Sequence, residues 1–358
     1  MMRERISRRN FIKLGFGATA GICLTSLLKG CAWLPGETQE EADSMLESHP
    51  ALPILNGQTY TGWHLDVSVT YRWLHPGVPE QAEEGFEEER RIIDNYEKLF
   101  GQKPAVHSIS DRAVGSGYFP GPIVKGAHSK GVVPMIRYYP HRDWKSIAQG
   151  VIDDSFKAFV DSACKVNEPF VFTPFPEAGE GVGSHPWRNW NAKYFKPAWD
   201  RMYTIADKAK ANDLMLWGLH LQGSYASKNK PRQYFYVDPA QVNMVGVSIY
   251  DNPKYGRKSF MQLLGPDYHQ LTGQYETKPF AIWELGTGIY DSAHRMNEKA
   301  MGKWILDTYD AISKLPRAKL VVWYAILWKD HNHSFIVGDA TDYYRRAISN
   351  KHFIGAKT

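Results

Sequence analysis

The amino-acid sequence predicts an α/β fold of one kind, a single-domain (β/α)8 TIM barrel. Three observations predict it. Eight short apolar runs recur along the chain, longer segments with helical periodicity separate them, and from Pro53 onward roughly 305 residues follow without a second break in composition.

The candidate strands, in order, are 60–67 (YTGWHLDV), 104–110 (PAVHSIS), 132–138 (VVPMIRY), 169–175 (PFVFTPF), 214–220 (LMLWGLH), 242–250 (VNMVGVSIY), 278–284 (KPFAIWE) and 319–326 (LVVWYAIL). Most are near-continuous apolar runs, as strands covered on both faces of a parallel sheet require. Between them, 83–99 places Phe86, Ile92, Ile93, Tyr96 and Leu99 near one stripe amid charges, and 194–211 and 296–314 repeat the pattern. This alternation fits a closed barrel better than an open doubly wound sheet, because no strand is followed by a GxGxxG turn.

Ahead of the barrel, residues 1–30 read as an export signal. SRRNFIK at 7–13 resembles a twin-arginine motif, and the uncharged stretch from Leu14 to Leu28 is shorter than the roughly 20 apolar residues of a membrane span. Leu28, Lys29, Gly30 and Cys31 resemble a lipoprotein processing box. Cys31 is therefore the expected lipidation site, with an ordinary signal cleavage as the alternative. The expected partners are the twin-arginine export machinery and a membrane held through an N-terminal lipid anchor, and the expected location is periplasmic or at the cell envelope. Residues 31–52 carry Glu37, Glu40, Glu41, Asp43 and Glu47 without a sustained apolar pattern and read as a polar acidic tether, so the barrel domain is expected over 53–358.

Charge and cysteine use narrow the partners. Residues 1–30 hold six basic side chains and one acidic one, and taking these from totals of 43 and 38 leaves 37 of each. The basic excess belongs to the signal, and no footprint for nucleic acid remains. Of three cysteines, Cys23 and Cys31 fall within or just after the signal and Cys164 stands alone in the body, which excludes a disulfide between body cysteines and a zinc site built on CxxC pairs.

Barrel active sites lie at the C-terminal ends of the strands. The fourth candidate strand ends in TPFPEAGEG and the seventh in AIWELGTG, which puts Glu177 and Glu284 at opposing sides of one mouth. Paired carboxyls there suit glycoside hydrolysis, in which one protonates the leaving oxygen and the other attacks the anomeric carbon. A carboxylate amid Trp283 and Leu285 also needs a partner or a task, since burying it alone is costly. Glu177 has a plainer reading as a surface loop carboxylate, with Glu180 as the acting group instead.

The stretches PFVFTPFPEAG, WNAKYFKPAWDRMYTIADKAKANDLMLWGL, YVDPAQVNMVGVSIYDN and KPFAIWELG resemble the retaining barrel glycosidases, and among them glycoside hydrolase family 26, over about residues 60 to 328. The resemblance implies that Glu177 is the acid/base, that Glu284 is the nucleophile and that Tyr250 lies beside it. It also implies a β-mannan-like substrate and no cofactor. One position departs from the family, which carries a histidine immediately before the acid/base where this chain has Pro176. His220 and Arg137 are candidates, by position, to supply what that histidine would.

Other residues are expected to contact sugar. Trp187, Trp190 and Trp328 offer flat faces for the C–H surface of sugar rings, while Asp66, His107, Arg137 and Asp251 follow or end strands and can bond hydroxyls. His331 and His333 lack a third ligand at recognisable spacing and HExxH is absent, so no metal is expected. The sequence therefore points to an exported retaining endo-β-glycanase acting on β-mannan, mixed-linkage glucan, xylan or a bacterial exopolysaccharide. A barrel that binds polysaccharide without cutting it is the alternative, and a metal-dependent deacetylase is a more distant one.

Overall fold

The computed structural model describes residues 38–55, 57–65, 82–111, 117–140, 142–179, 191–223, 232–253, 256–290, 295–325 and 338–356. The chain divides into two units, 1–38 and 39–358, and every element described belongs to the second.

Eight parallel strands close a barrel: β1 (Thr59–Leu65), β2 (Val106–Asp111), β3 (Val133–Tyr138), β4 (Phe170–Pro174), β5 (Met215–Gln222), β6 (Met244–Asp251), β7 (Phe280–Thr287) and β8 (Ala318–Ala325). Each pairs with the next, and β8 pairs with β1 to complete the ring. All eight sequence-predicted strands are present, with ends shifted by up to three residues.

Side-chain alternation splits the core in two. Tyr60, Val106, Met135, Val171, Leu216, Met244, Ala281 and Leu320 point into the barrel and pack as one cluster. Their strand neighbours Ile136, Phe172, Trp217, Val245, Ile282 and Val321 point outward into the larger cluster under the helices. This is the period of two expected of a pleated strand.

The helices cover the outside. α2 (Ala82–Phe100) lays Tyr96 and Phe100 against the barrel, with Tyr96 5.0 Å from Trp63 of β1, and packs Ile93 against Ala127 and Val132. Following β3, α4 (Trp144–Ala148) is N-capped by Asp143. α5 (Asp153–Val166) buries Phe156, Phe159, Val160 and Ala163 at helical spacing and ends on Asn167 in the left-handed conformation. α6 (Phe195–Lys208) buries Phe195, Trp199 and Met202, and α9 (Glu298–Ile312) buries Met301, Trp304 and Ile305. Further helices are α3 (Gly121–Ser129), α7 (Phe260–Leu264), α8 (Asp267–Gln274) and α10 (Asp339–Ile348), and a short β9 (Phe353–Ile354) pairs with the start of β1.

The N-terminal boundary is corrected. Residues 39–52, expected to be a tether, carry α1 (Gln39–Met45) and are stitched to the barrel. Asp43 forms a buried ion pair with Lys319 and accepts the Gly57 amide; Glu47 pairs with Lys278, and His49 Nε2 is bonded to the Asn212 carbonyl at 3.3 Å. Lys319, Lys278 and Asn212 all lie at or before the N-terminal ends of their strands, so the segment crosses the barrel face opposite the mouth. Its apolar side is only Ala42, Leu46, Ala51 and Leu52, too few for periodicity to reveal, and its acidic residues, which suggest a solvated tether, are partly spent on buried lysines.

Candidate active site

The site begins with a fault in β7. Strict alternation from Ala281, which faces inward, would turn Trp283 inward and Glu284 outward toward the helices. Instead the register between β6 and β7 slips, so that Val247 pairs with Ile282 but Ser248 pairs with Glu284, and the pairing with β8 is irregular over the same stretch. A bulge adds one residue to a strand and re-aims its side chains. Trp283 and Glu284 consequently both face inward, while Leu285 returns to the outer cluster.

Trp283 fills the barrel beneath the mouth. Its ring takes the space above Gly218, where a Cβ would lie 2.6 Å from Cη2, and its Nε1 donates to the Leu219 carbonyl at 3.0 Å. Only glycine at 218 admits the indole.

Glu284 then sits on this floor, 2% exposed, among groups from three other strands. The Arg137 guanidinium from β3 pairs with its Oε1, and the Tyr250 hydroxyl from β6 donates to its Oε2. His220 from β5 brings Nε2 to 4.0 Å from Oε1 and shares a 2.7 Å hydrogen bond with Ser248 Oγ. Arg137 is itself flanked by aromatic rings, 5.6 Å from Tyr139 and 5.5 Å from Tyr324. Burial opposes the Arg137 charge most strongly, but Glu284 together with Tyr139, Tyr324 and Tyr250 outweighs it, and the guanidinium pKa is held above its usual value. A guanidinium in contact favours the ionised form of a carboxylate.

The end of β4 is unusual in a different way. Phe175 and Glu177 both adopt positive φ, 55° and 56°, on either side of Pro176. Side-chain-bearing residues in that region are disfavoured by about 1 kcal/mol each, so neighbours must impose the turn. They do: the Phe175 amide donates to Tyr138, the Ala178 amide to His220, and the Gln222 amide to Ala178, which clamps the turn between β3 and β5. Phe175 is fully buried against Trp144 and Phe195. Glu177 is left 7% exposed, and its charge reaches Tyr250. Burial first, then the charges of Glu284 and Glu177, push the Tyr250 hydroxyl well above its usual value. Tyr250 is thus the group that senses both carboxylates.

Among the sequence-predicted residues, the structure gathers Glu284, Arg137, His220, Tyr250 and Glu177. Two predicted sugar contacts are corrected. His107 is next to inward-facing Val106, so alternation turns it outward, where Nδ1 meets Glu89 of α2 at 2.5 Å in a buried pair. Asp251 likewise points away from the mouth: it accepts the Lys258 amide at 3.0 Å, Thr287 Oγ1 at 2.8 Å and Arg257 at 3.2 Å, tying the loop after β6 to the end of β7. Burial raises the Asp251 pKa, with those three donors pulling the other way. Asp66, Trp187, Trp190, Trp328, Glu180, His331, His333 and Cys31 lie outside the described residues.

Ser248 and Tyr324 join the site without having been expected there. Both share the inward parity of their strands, a signal that phasing the strands would reveal. Among the described residues no cluster of three or more metal-ligating side chains occurs, and no described helix is long and apolar enough to cross a membrane.

No family model matches the sequence, and a search of curated proteins returns no match. Solved structures do resemble the fold. The catalytic domain of a family 26 endo-β-1,4-mannanase from Bacillus sp. JAMB-750 superposes with a TM-score of 0.61 at 14% identity, covering 84% of this chain and 88% of that one. A family 26 β-mannanase from Bacteroides ovatus gives 0.59 at 14% identity over 89% and 96%. An endo-β-1,4-mannanase double mutant from Cellulomonas fimi gives 0.58 at 13% identity over 84% and 72%. The chain has the barrel fold of these enzymes.

Proposed function

We propose that this chain is a retaining glycoside hydrolase of the family 26 kind, cutting a β-linked polysaccharide from within. One observation carries the proposal: a single hydroxyl, that of Tyr250, bonds one glutamate at the mouth of the barrel and feels the charge of a second on the turn after β4. The three solved structures of like fold named above bear mannanase names, and β-mannan is accordingly the first substrate to test, ahead of mixed-linkage glucan, xylan and bacterial exopolysaccharides.

In this reading Glu284, kept ionised by Arg137, attacks the anomeric carbon as Glu177 gives its proton to the departing glycosidic oxygen. A glycosyl ester on Glu284 results. Glu177, now ionised, takes a proton from water as that water attacks the same carbon, which frees Glu284 and restores the proton to Glu177. Tyr250 and Arg137 hold the nucleophile on its line of attack. Reducing ends released from that polysaccharide panel, with the first-formed anomer identified by NMR, test it. Inversion at the anomeric carbon would remove the retaining mechanism.

A binding barrel that does not cut is favoured by one feature, Pro176. Proline has no side-chain donor with which to orient the neighbouring glutamate or a sugar hydroxyl. Tight binding of a polysaccharide with no reducing ends released would select this reading.

We further propose export by the twin-arginine route and lipidation at Cys31. Replacing Arg8 and Arg9 together by lysine should retain folded protein in the cytoplasm, and Cys31→Ser should release it from membranes.

A further inference from the structure

We propose that His220 is a positioning residue for Glu284, acting through Ser248 and Trp283. The proposal rests on Glu284 being the nucleophile. His220 is completely buried, and its Nε2 is bonded to Ser248 Oγ at 2.7 Å while lying 4.0 Å from Glu284 Oε1, in van der Waals reach but beyond a hydrogen bond. Ser248 is the residue paired with Glu284 where the register between β6 and β7 slips. The imidazole also lies 5.9 Å from the Trp283 ring, tilted by 35°, and the neighbouring Leu219 carbonyl accepts the indole N–H. Both residues of the bulge, 283 and 284, are thus propped from β5.

A bulge needs such a prop. It disrupts the ladder locally, so the aim of its side chains depends on what packs against them. Arg137 and Tyr250 each bond one oxygen of the carboxylate, and both oxygens belong to one group that can turn about its Cγ–Cδ bond. His220 blocks the remaining direction, toward β5. Removing the ring opens a void beside Oε1, strips a buried hydroxyl of its partner and lets Trp283 and Glu284 relax together. Displacement of a reacting group by about 1 Å costs on the order of 100-fold in rate.

The His220 main chain also supports the turn that carries the other glutamate, its carbonyl accepting the Ala178 amide at 2.9 Å. A side-chain substitution keeps that bond. The effect should therefore fall on Glu284 and spare Glu177, a separation that general loosening of the fold does not produce.

The test uses the whole enzyme and a β-mannosyl fluoride whose adjacent hydroxyl is replaced by fluorine. Glu284 displaces fluoride from the anomeric carbon to form a long-lived glycosyl ester, and fluoride leaves with little need of a proton. His220→Leu, His220→Gln and Ser248→Ala are compared with the parent by the rate of ester formation, with the labelled peptide located by mass spectrometry. Loss of about 100-fold is expected in His220→Leu and a comparable loss in Ser248→Ala, with half-saturation within about two-fold of the parent. His220→Gln, whose amide still reaches Ser248, should recover part of the rate. Turnover should fall equally on an activated aryl mannoside and on mannan. Ester formation on Glu284 at the parental rate in folded His220→Leu, or loss confined to mannan, overturns the role of His220 and leaves the nucleophile standing. Labelling of a residue other than Glu284 removes the nucleophile, and the proposal with it.

Discussion

Arg137 of β3 and Glu284 of β7 form an ion pair across the interior of the barrel, with side chains 3% and 2% exposed. Removing one member of such a pair strands the other charge, which costs about 3–5 kcal/mol, whereas replacing both by apolar groups of like volume is often close to neutral. Arg137→Leu should lower stability to urea by that order and abolish turnover. Arg137→Leu combined with Glu284→Leu should regain most of the stability and none of the activity. If the double variant is no more stable than Arg137→Leu, the pair does not govern this part of the core.

Much of this site is legible in the amino-acid sequence. The strands can be found because both faces of a barrel strand are covered, so each reads as an unbroken apolar run, and a glutamate inside one is conspicuous. The direction of side chains is harder to read. Alternation applied to β2 turns His107 outward, and applied to β6 it turns Asp251 outward; closeness to a strand end is not closeness to the mouth, and the expectation of sugar contacts at these two residues confuses them. Alternation applied to β7 gives the wrong answer, because the bulge that turns Glu284 inward lies in the pairing with neighbouring strands and leaves no mark on the local sequence. Positive φ at Phe175 and Glu177 is hidden for a similar reason, being imposed by amide bonds to Tyr138 and His220 from other strands.

Alkaline stability should be governed by buried tyrosines. Burial raises the hydroxyl pKa of Tyr60 to about 12 and those of Tyr96, Tyr138, Tyr250, Tyr275, Tyr309 and Tyr344 above their usual value. These groups keep their protons in the folded chain at a pH where the unfolded chain has lost them, so the stability they contribute is whole below about pH 10 and is lost as pH rises toward the folded values. Each contributes a fall of up to about 1.4 kcal/mol per pH unit in that window. Urea midpoints measured between pH 8 and pH 11 should be flat at first and then drop steeply, together with a rise in tyrosinate absorbance on unfolding. A midpoint independent of pH across that range would show that the rings titrate freely in the folded state.

The segment 39–52 offers a test at the far face. A chain beginning at Pro53 loses Asp43 and Glu47 and leaves Lys319 and Lys278, both under 5% exposed, without these acidic partners. Breaking the buried Asp43–Lys319 pair, together with the half-exposed Glu47–Lys278 pair, should lower the melting temperature on the order of 10 °C relative to a chain beginning at Gln39. The contacts lie at the N-terminal ends of the strands, away from the mouth, so kcat/KM of the folded fraction should stay within about two-fold. Equal melting temperatures would restore the tether reading for these residues.

The division of labour between the two glutamates makes the most specific prediction. Glu284 is bonded by Arg137 and Tyr250, an arrangement that favours a fixed, ionised carboxylate, whereas Glu177 sits on a clamped turn and bears on Tyr250 through its charge. A nucleophile must be ionised and an acid must begin the cycle protonated, so their replacement should fail in different ways. Glu284→Ala should abolish turnover on every substrate, since no ester can form. Glu177→Ala should still form the ester from an activated aryl glycoside, whose leaving group needs little proton, and should fail on unactivated polysaccharide. Added azide should then restore turnover of the aryl glycoside, because an anionic nucleophile attacks the ester without the base that Glu177 would have provided. The product should be a β-glycosyl azide, formed on the face the missing base once served, and NMR of the released sugar reads its configuration. An α-azide would mean a single displacement and no ester at Glu284. Cleavage of polysaccharide at the parental rate by Glu177→Ala but not by Glu180→Ala would move the acid/base to Glu180.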